Sequence, residues 1–114
     1  TKKVGQVSVN EVSELLQTED LQFVDVRRTA EHNAGHAAGT VNIPLDKLAT
    51  DFERLDPLAP TYVICQGGYR SSIGTSILEN AGFKTIYNVT GGTTAWLHAD
   101  LEIEISSAAC ASTK

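Results

Sequence analysis

Apolar residues along the chain fall into two kinds of pattern. Short runs rich in β-branched and aromatic residues have the composition of buried strands. They lie at Leu21–Val26, Thr61–Cys65 and Lys84–Val89. Elsewhere apolar residues recur at intervals of three and four, which predicts amphipathic helices. The first of these helices begins after Ser8. The other three run over Leu45–Leu55, Ser71–Ala81 and Thr93–Ala99. Because strands and helices alternate, we predict an α/β fold with a mostly parallel central sheet and helices on both faces.

Local signals set several of the element boundaries. The sequence from Ser8 to Glu11 has the form of a capping box, which begins a helix. Gly82 is placed to end the Ser71–Ala81 helix as its C′ residue. Three short elements complete the prediction: a helix near Thr29–Asn33 and extended pieces at Thr40–Ile43 and Ile103–Ile105.

The composition indicates one globular domain. Hydrophobic residues make up 41% of the 114 residues and charged residues 20%. No apolar run is long enough for a membrane span, so we expect no membrane partner. The net charge of -5 argues against nucleic acid, since binding to phosphates needs a basic face. We expect residues 1–105 to form the single domain and residues 106–114 to be a flexible C-terminal tail.

The cysteine content narrows the chemistry further. Two cysteines occur, Cys65 and Cys110, without the Cys and His spacing of a zinc site. We therefore expect no metal site and a free thiol in a reducing compartment, the cytoplasm. Cys110 lies in the predicted tail, where it could resolve a persulfide or form an intermolecular disulfide, although a bystander role is favoured.

The stretch CQGGYRSS, from Cys65 to Ser72, contains the candidate reactive residue, Cys65. It places a cysteine between the end of a strand and the start of a helix, where sites form in parallel α/β sheets. Gly67 and Gly68 allow unusual backbone angles, so that backbone N–H groups can turn inward. The helix N-terminus and Arg70 add positive potential. All of these favour a nucleophilic thiolate at Cys65.

Two chemistries use such a loop: sulfur transfer through a cysteine persulfide, and phosphoryl or arsenate chemistry. The width of the loop separates them, since a tetrahedral oxyanion needs a wider cradle than one sulfur atom. An inert buried cysteine is the competing interpretation. The glycines and Arg70 within five positions of Cys65 argue against it.

The chain resembles the rhodanese family of single-domain sulfurtransferases over about Gly5–Ile105. Three segments carry the resemblance in family order: FVDVRRTAEHNAGHAAGTVNIP, CQGGYRSS and NVTGGTTAW. It implies a rhodanese-like three-layer α/β/α fold, a Cys65 persulfide and no organic cofactor. The family loop has six residues, here Cys65–Arg70, whereas related phosphatases and arsenate reductases have seven. The resemblance therefore favours sulfur over phosphate.

The resemblance also implies partners and roles. The donor would be thiosulfate, a low-molecular-weight persulfide or a protein persulfide, and the acceptor a thiol or cyanide. Arg70 would bind the anionic part of the donor or stabilise the persulfide, while Gln66 and Tyr69 would shape the rim. The alternative is a sulfur-carrier or interaction domain of a larger protein, for example a metallo-β-lactamase-like fusion. A start at Thr1 is compatible with such a domain.

Several other polar residues are expected to be structural. Asp25 at a strand end should pair with Arg27, Arg28 or backbone N–H groups rather than act in catalysis. His36 should be hydrogen-bonded for structure, and Trp96 should pack the last helix. His32 and His98 carry no signal of function.

Overall fold

The computed structural model describes residues 5–18, 21–67 and 69–105. Within these ranges the chain forms seven strands and five α-helices. The strands are β1 (Gly5–Val7), β2 (Gln22–Asp25), β3 (His36–Ala37), β4 (Val41–Asn42), β5 (Thr61–Ile64), β6 (Ile86–Val89) and β7 (Ile103–Glu104). The helices are α1 (Val9–Thr18), α2 (Thr29–Ala34), α3 (Leu45–Asp51), α4 (Tyr69–Asn80) and α5 (Gly92–His98).

The main sheet has five strands in the order β1-β6-β5-β2-β4, and each neighbouring pair is parallel. The predicted α/β fold is therefore confirmed. The register aligns Ile64 of β5 with Asp25 of β2, and Val63 of β5 with Asn88 of β6. Because β5 is the middle strand, the residue that follows it emerges at the centre of the carboxyl edge of the sheet.

The sheet separates two apolar cores, as strand alternation requires. On β5, Val63 belongs to the core that includes Leu48 and Leu78 of α3 and α4. Its neighbours Tyr62 and Ile64 belong to the other core, with Val12 of α1 and Trp96 of α5. Cys65 continues the alternation and falls in the α3 and α4 core.

Small residues allow α4 to lie close to the sheet. Its buried positions are Ser71, Gly74, Thr75 and Leu78. A Cβ at Gly74 would be 3.3 Å from Leu48 and 3.4 Å from Val63, closer than most such contacts. This close approach is what brings the first turn of α4 over the end of β5.

The predicted caps are present. Ser8 N–H donates to Glu11 Oε1 at 2.8 Å and Glu11 N–H donates to Ser8 Oγ at 3.2 Å, which completes the capping box. Gly82 has a φ of 102°, and the next N–H, that of Phe83, donates to the Leu78 carbonyl. The predicted Leu45–Leu55 helix is α-helical only to Asp51 and ends in a 3₁₀ turn.

Two features depart from the sequence prediction. The segment around His36, predicted as loop, forms strand β3, which pairs antiparallel with β7. The edge strand β1, which was not predicted, pairs with β6. Both are two or three residues long and pair with segments more than 60 residues away, so local periodicity carries little sign of them. No helix in residues 5–18, 21–67 or 69–105 is long and apolar enough to cross a membrane.

Candidate active site

Cys65 is the first residue after the central strand β5 and is 1% exposed. Its thiol donates a hydrogen bond to Ser71 Oγ at 3.5 Å. Helix α4 begins at Tyr69, four residues later. The thiol thus lies between a strand end and a helix start, where the sequence places it.

The backbone of the loop is held by the first turn of α5. The Cys65 carbonyl accepts hydrogen bonds from the N–H of Thr93 at 2.7 Å and from its hydroxyl at 3.1 Å. The Gln66 carbonyl accepts one from the Thr94 N–H at 3.1 Å. The first N–H groups of a helix have no partners within the helix, so the loop carbonyls satisfy them. This reciprocal arrangement fixes the orientation of two loop peptides.

Gly91 and Gly92 make this contact possible. Gly92 has a φ of 58°, and a Cβ there would collide with the Cys65 carbonyl oxygen and lie 2.6 Å from the Gln66 oxygen. Gly91 has a φ of 78°, and a Cβ there would lie 2.6 Å from Ala95 Cβ. These two glycines were not among the predicted site residues. The adjacent pair at the end of a strand was the available signal.

Gln66 links the loop to the segment after β2 and to α5. Its Oε1 accepts from Arg27 Nη1 at 3.1 Å, and its Nε2 donates to Thr94 Oγ1 at 2.9 Å. Both ends of its amide are therefore occupied by hydrogen bonds. These two hydrogen bonds hold the amide group in one orientation beside the loop.

Asp25, which pairs with Arg27, is fully buried. Its carboxylate accepts from Arg27 Nε at 3.0 Å and Nη2 at 2.9 Å, and from His32 Nδ1 at 2.9 Å. The predicted pairing with Arg27 is present, whereas Arg28 instead donates its backbone N–H to Glu31 at 3.0 Å. Asp25 thus orients Arg27, which in turn holds Gln66.

The two histidines next to this carboxylate stack on each other. The rings of His32 and His36 are 3.6 Å apart and nearly parallel, and His36 Nδ1 donates to the His32 carbonyl at 2.6 Å. His36 is therefore hydrogen-bonded as expected. Burial lowers the pKa of His32 despite its hydrogen bond to Asp25. No role was predicted for His32, although its i, i+4 spacing from His36 was the available signal.

Arg70 forms an ion pair that the sequence did not predict. Its Nη1 donates to Glu31 Oε1 at 2.8 Å and its Nη2 to Oε2 at 3.2 Å. The hydrogen bonds from Arg70 and from the Arg28 N–H lower the pKa of Glu31 to about 2, and the same pair raises the pKa of Arg70. Arg70 therefore joins α4 to α2 at the edge of the loop.

The remaining predicted residues have different outcomes. At Gly67 φ lies outside the left-handed region and a Cβ would meet nothing within 4 Å, so neither reason for a glycine applies there. Tyr69 is 78% exposed beside the loop. Trp96 is buried, with its indole N–H donating to the Glu102 carbonyl at 2.6 Å, which confirms its packing role. Gly68 and Cys110 lie outside the described residues.

The described residues offer no metal centre. Across residues 5–18, 21–67 and 69–105, no three His, Cys, Asp or Glu side chains are grouped so as to hold an ion. The loop itself presents a buried thiol beside the start of α4 and an arginine paired with Glu31.

Comparisons with known proteins agree with this geometry. The thiosulfate sulfurtransferase GlpE of Shewanella oneidensis is 31% identical over 94 residues, which cover 82% of this chain and 93% of that protein. A rhodanese-like domain protein of Staphylococcus aureus superposes with a TM-score of 0.80 at 30% identity, over 91% of this chain and 100% of that one. The rhodanese-like domain of Anabaena Alr3790 superposes with a TM-score of 0.84 at 24% identity, over 90% and 80% of the two chains. The model of the rhodanese-like domain matches residues 8–99. The chain therefore belongs to the rhodanese family.

Proposed function

We propose that this chain is a sulfurtransferase that moves sulfane sulfur from thiosulfate or a low-molecular-weight persulfide to a thiophilic acceptor. Cys65 carries the sulfur as a persulfide. The relative from Shewanella oneidensis, a thiosulfate sulfurtransferase by name, supports the substrate class. A free thiol is required at rest, which fits a reducing compartment such as the cytoplasm.

The observation that carries the proposal is the anchoring of the Cys65 and Gln66 carbonyls by α5. In a trans peptide the C=O and the following N–H point in opposite directions. The N–H groups of Gln66 and Gly67 therefore point away from α5. Helix α5 packs on one face of the sheet, whereas Cys65 belongs to the core on the other face. This orientation favours an anion on the sulfur side of the loop.

The charging step follows from this electrostatic environment. The Cys65 thiolate attacks the outer sulfur of thiosulfate, a bond forms between the two sulfurs, and sulfite leaves with the electron pair of the broken bond. The new outer sulfur carries the negative charge. The turned N–H groups, the first turn of α4 and the guanidinium of Arg70 stabilise that charge.

In the discharging step the persulfide transfers its outer sulfur to the acceptor. Cyanide or a thiolate attacks the outer sulfur, and the Cys65 thiolate leaves with the electron pair of the sulfur–sulfur bond. The cycle is redox-balanced by its own substrates, so it uses no cofactor. The same groups that favour the thiolate as a nucleophile favour it as a leaving group.

The size of the loop separates this activity from phosphatase chemistry. Four residues, Gln66 to Tyr69, separate Cys65 from Arg70. A phosphate or arsenate ion presents three oxygens to the backbone and needs a wider ring of N–H groups. The short loop therefore favours a single anionic sulfur.

A cavity beside the loop supports an anionic donor. It has a volume of about 630 Å³, and its charged lining is three cationic side chains, Arg28, Lys47 and Arg70, and one carboxylate, Asp46. Val26 lines it too, and since Asp25 aligns with Ile64, Val26 and Cys65 are the next residues along neighbouring strands. The cavity is much larger than thiosulfate, so a thiol-sized persulfide is a second candidate donor.

Intact-mass measurement tests the proposal. Wild type, Cys65→Ser and Cys110→Ser are each incubated with thiosulfate or glutathione persulfide and then with cyanide. We expect one added sulfur on wild type and Cys110→Ser, none on Cys65→Ser, and loss of that sulfur to cyanide. If folded wild type gains no sulfur from either donor, free-standing sulfur transfer is wrong. Sulfur gained only from a protein persulfide would indicate a carrier domain.

A further inference from the structure

A chain of polar side chains runs from Cys65 to the far edge of the sheet. The thiol donates to Ser71 Oγ at 3.5 Å, and the Ser71 hydroxyl donates a short hydrogen bond to Asn88 Oδ1. Asn88 Nδ2 donates to Gln6 Oε1 at 3.0 Å. Three elements that are remote in sequence, α4, β6 and β1, thus supply consecutive links.

Two of these links occupy positions where apolar residues are the norm. Asn88 is 6% exposed and lies on the same face of β6 as Ile86, which belongs to the α3 and α4 core. Ser71 is fully buried on the sheet-facing side of α4. Burying an amide and a hydroxyl there is unfavourable unless both are hydrogen-bonded, so the arrangement depends on the complete chain.

We propose that Ser71 is a positioning residue whose hydroxyl hydrogen bond alternates between Asn88 and the sulfur of Cys65 during sulfur transfer. The inference rests on the proposed role of Cys65 as the reactive thiol. Ser71 has one hydroxyl proton to donate. In the thiol form the sulfur supplies its own proton, so the Ser71 proton goes to Asn88.

Loss of the thiol proton changes this balance. The thiolate has no proton to donate and becomes a charged acceptor, and hydrogen bonds to charged groups are the stronger ones. The Ser71 hydroxyl then turns toward the sulfur, and Asn88 gives up its donor. In the persulfide the charge lies on the outer sulfur, so the hydroxyl returns to Asn88. Ser71 therefore favours the thiolate, while Asn88 and Gln6 oppose it by competing for the same proton.

The charged groups that act on the sulfur are separate from this chain. Arg70 on α4 interacts electrostatically with Cys65, and Glu31 on α2 and Asp25 at the end of β2 interact with Arg70 in turn. The contacts that α5 and β6 make with the loop and with Ser71 come from neutral residues, Thr93, Thr94 and Asn88. Removing the Ser71 hydroxyl leaves every one of these charges in place.

The test follows the alkylation rate of Cys65 with iodoacetamide against pH, in a Cys110→Ser background, with the modified residue identified by mass. Ser71→Ala should raise the midpoint of the rate profile by about half a unit to one unit, which is roughly threefold to tenfold less thiolate at a fixed pH. Asn88→Leu should lower the midpoint, because it releases the hydroxyl to the sulfur. A smaller shift in the same direction is expected for Gln6→Ala, which lies on the exposed edge.

Thr75→Val is the matched control. It removes another buried hydroxyl of α4, one that donates to the Ser72 carbonyl at 2.7 Å and has no link to the sulfur, so its midpoint should equal wild type. An unchanged midpoint in Ser71→Ala overturns the proposal. So does a rise in Asn88→Leu, or in Gln6→Ala if Asn88→Leu does not fold. Alkylation needs no sulfur donor, so these outcomes are independent of whether the chain transfers sulfur.

Discussion

Glu31 of α2 and Arg70 of α4 are joined by two parallel hydrogen bonds, 2.8 and 3.2 Å long. The pair is partly exposed, with about a third of each side chain accessible to solvent. It holds the arginine at the rim with its charge balanced by a carboxylate. An anionic donor therefore competes with Glu31 for the same guanidinium.

Glu31→Gln should strengthen binding of an anionic donor. The change removes the competing charge and frees Arg70, and exposed ion pairs of this kind contribute up to about 1 kcal/mol, so KM for thiosulfate should fall about twofold to fivefold. Steady-state kinetics with cyanide as acceptor give the value. Glu53→Gln, an exposed carboxylate on the 3₁₀ turn, should leave KM unchanged. A higher KM in Glu31→Gln would mean that the pair orients Arg70 for the donor.

Gly92→Ala should destabilise the protein by roughly 3 kcal/mol or more, since it combines a left-handed φ with a collision against two loop carbonyls. Urea denaturation measures the loss in free energy of unfolding. Gly67→Ala is the control, because a Cβ there meets nothing within 4 Å, and it should change stability by less than about 1 kcal/mol. Equal effects of the two changes would contradict the anchoring of the loop by α5.

Stability should fall as the pH drops below 6.5. Burial lowers the folded-state pKa of His32 from its ordinary value of 6.5, so the unfolded state binds more protons in this range. Its contribution is therefore fully present above pH 6.5 and lost as the pH falls toward the lowered value, at up to about 1.4 kcal/mol per pH unit. Urea denaturation at pH 7.5, 6.5 and 5.5 measures this slope.

Two histidine variants identify the origin of that slope. His32→Asn keeps an N–H donor for Asp25 but removes the titrating ring, so its stability should depend less on pH. His98→Gln is the control because His98 is exposed, and this variant should show the same slope as wild type. A wild-type slope in His32→Asn would assign the titration to another group.

Asp25→Asn should damage folding far more than chemistry. It leaves the buried Arg27 without its carboxylate, a change that costs about 3–5 kcal/mol in buried ion pairs. Where the variant is folded, at low temperature, kcat should stay within a few-fold of wild type, because the carboxylate contacts Arg27 and His32 rather than the thiol. Glu14→Gln, a change at an exposed carboxylate of α1, should be neutral in both assays. A folded Asp25→Asn without activity would assign Asp25 a direct role in turnover.

Much of the fold could be predicted because its determinants are local. The capping box at Ser8, the C′ glycine at Gly82 and the strand run at Thr61–Cys65 each depend on residues within a few positions. The same local order fixed Cys65 at the end of a strand and four residues between it and Arg70. These features are properties of the chain before it folds.

The partners of those residues were decided by tertiary structure. Arg70 meets Glu31 from 39 positions away, Ser71 meets Asn88 from 17, and β1 pairs with β6 more than 80 positions along the chain. Gly92 lies against the carbonyls of Cys65 and Gln66, more than 25 positions away in the chain.

The physical reason is that periodicity and capping depend on interactions between residues that are close together in the sequence. Strand order and helix packing, by contrast, depend on which distant surfaces are buried together. The sequence by itself determined that Cys65 follows a buried strand and precedes Arg70 by five positions. Tertiary structure decided which carbonyls, hydroxyls and charges surround that sulfur.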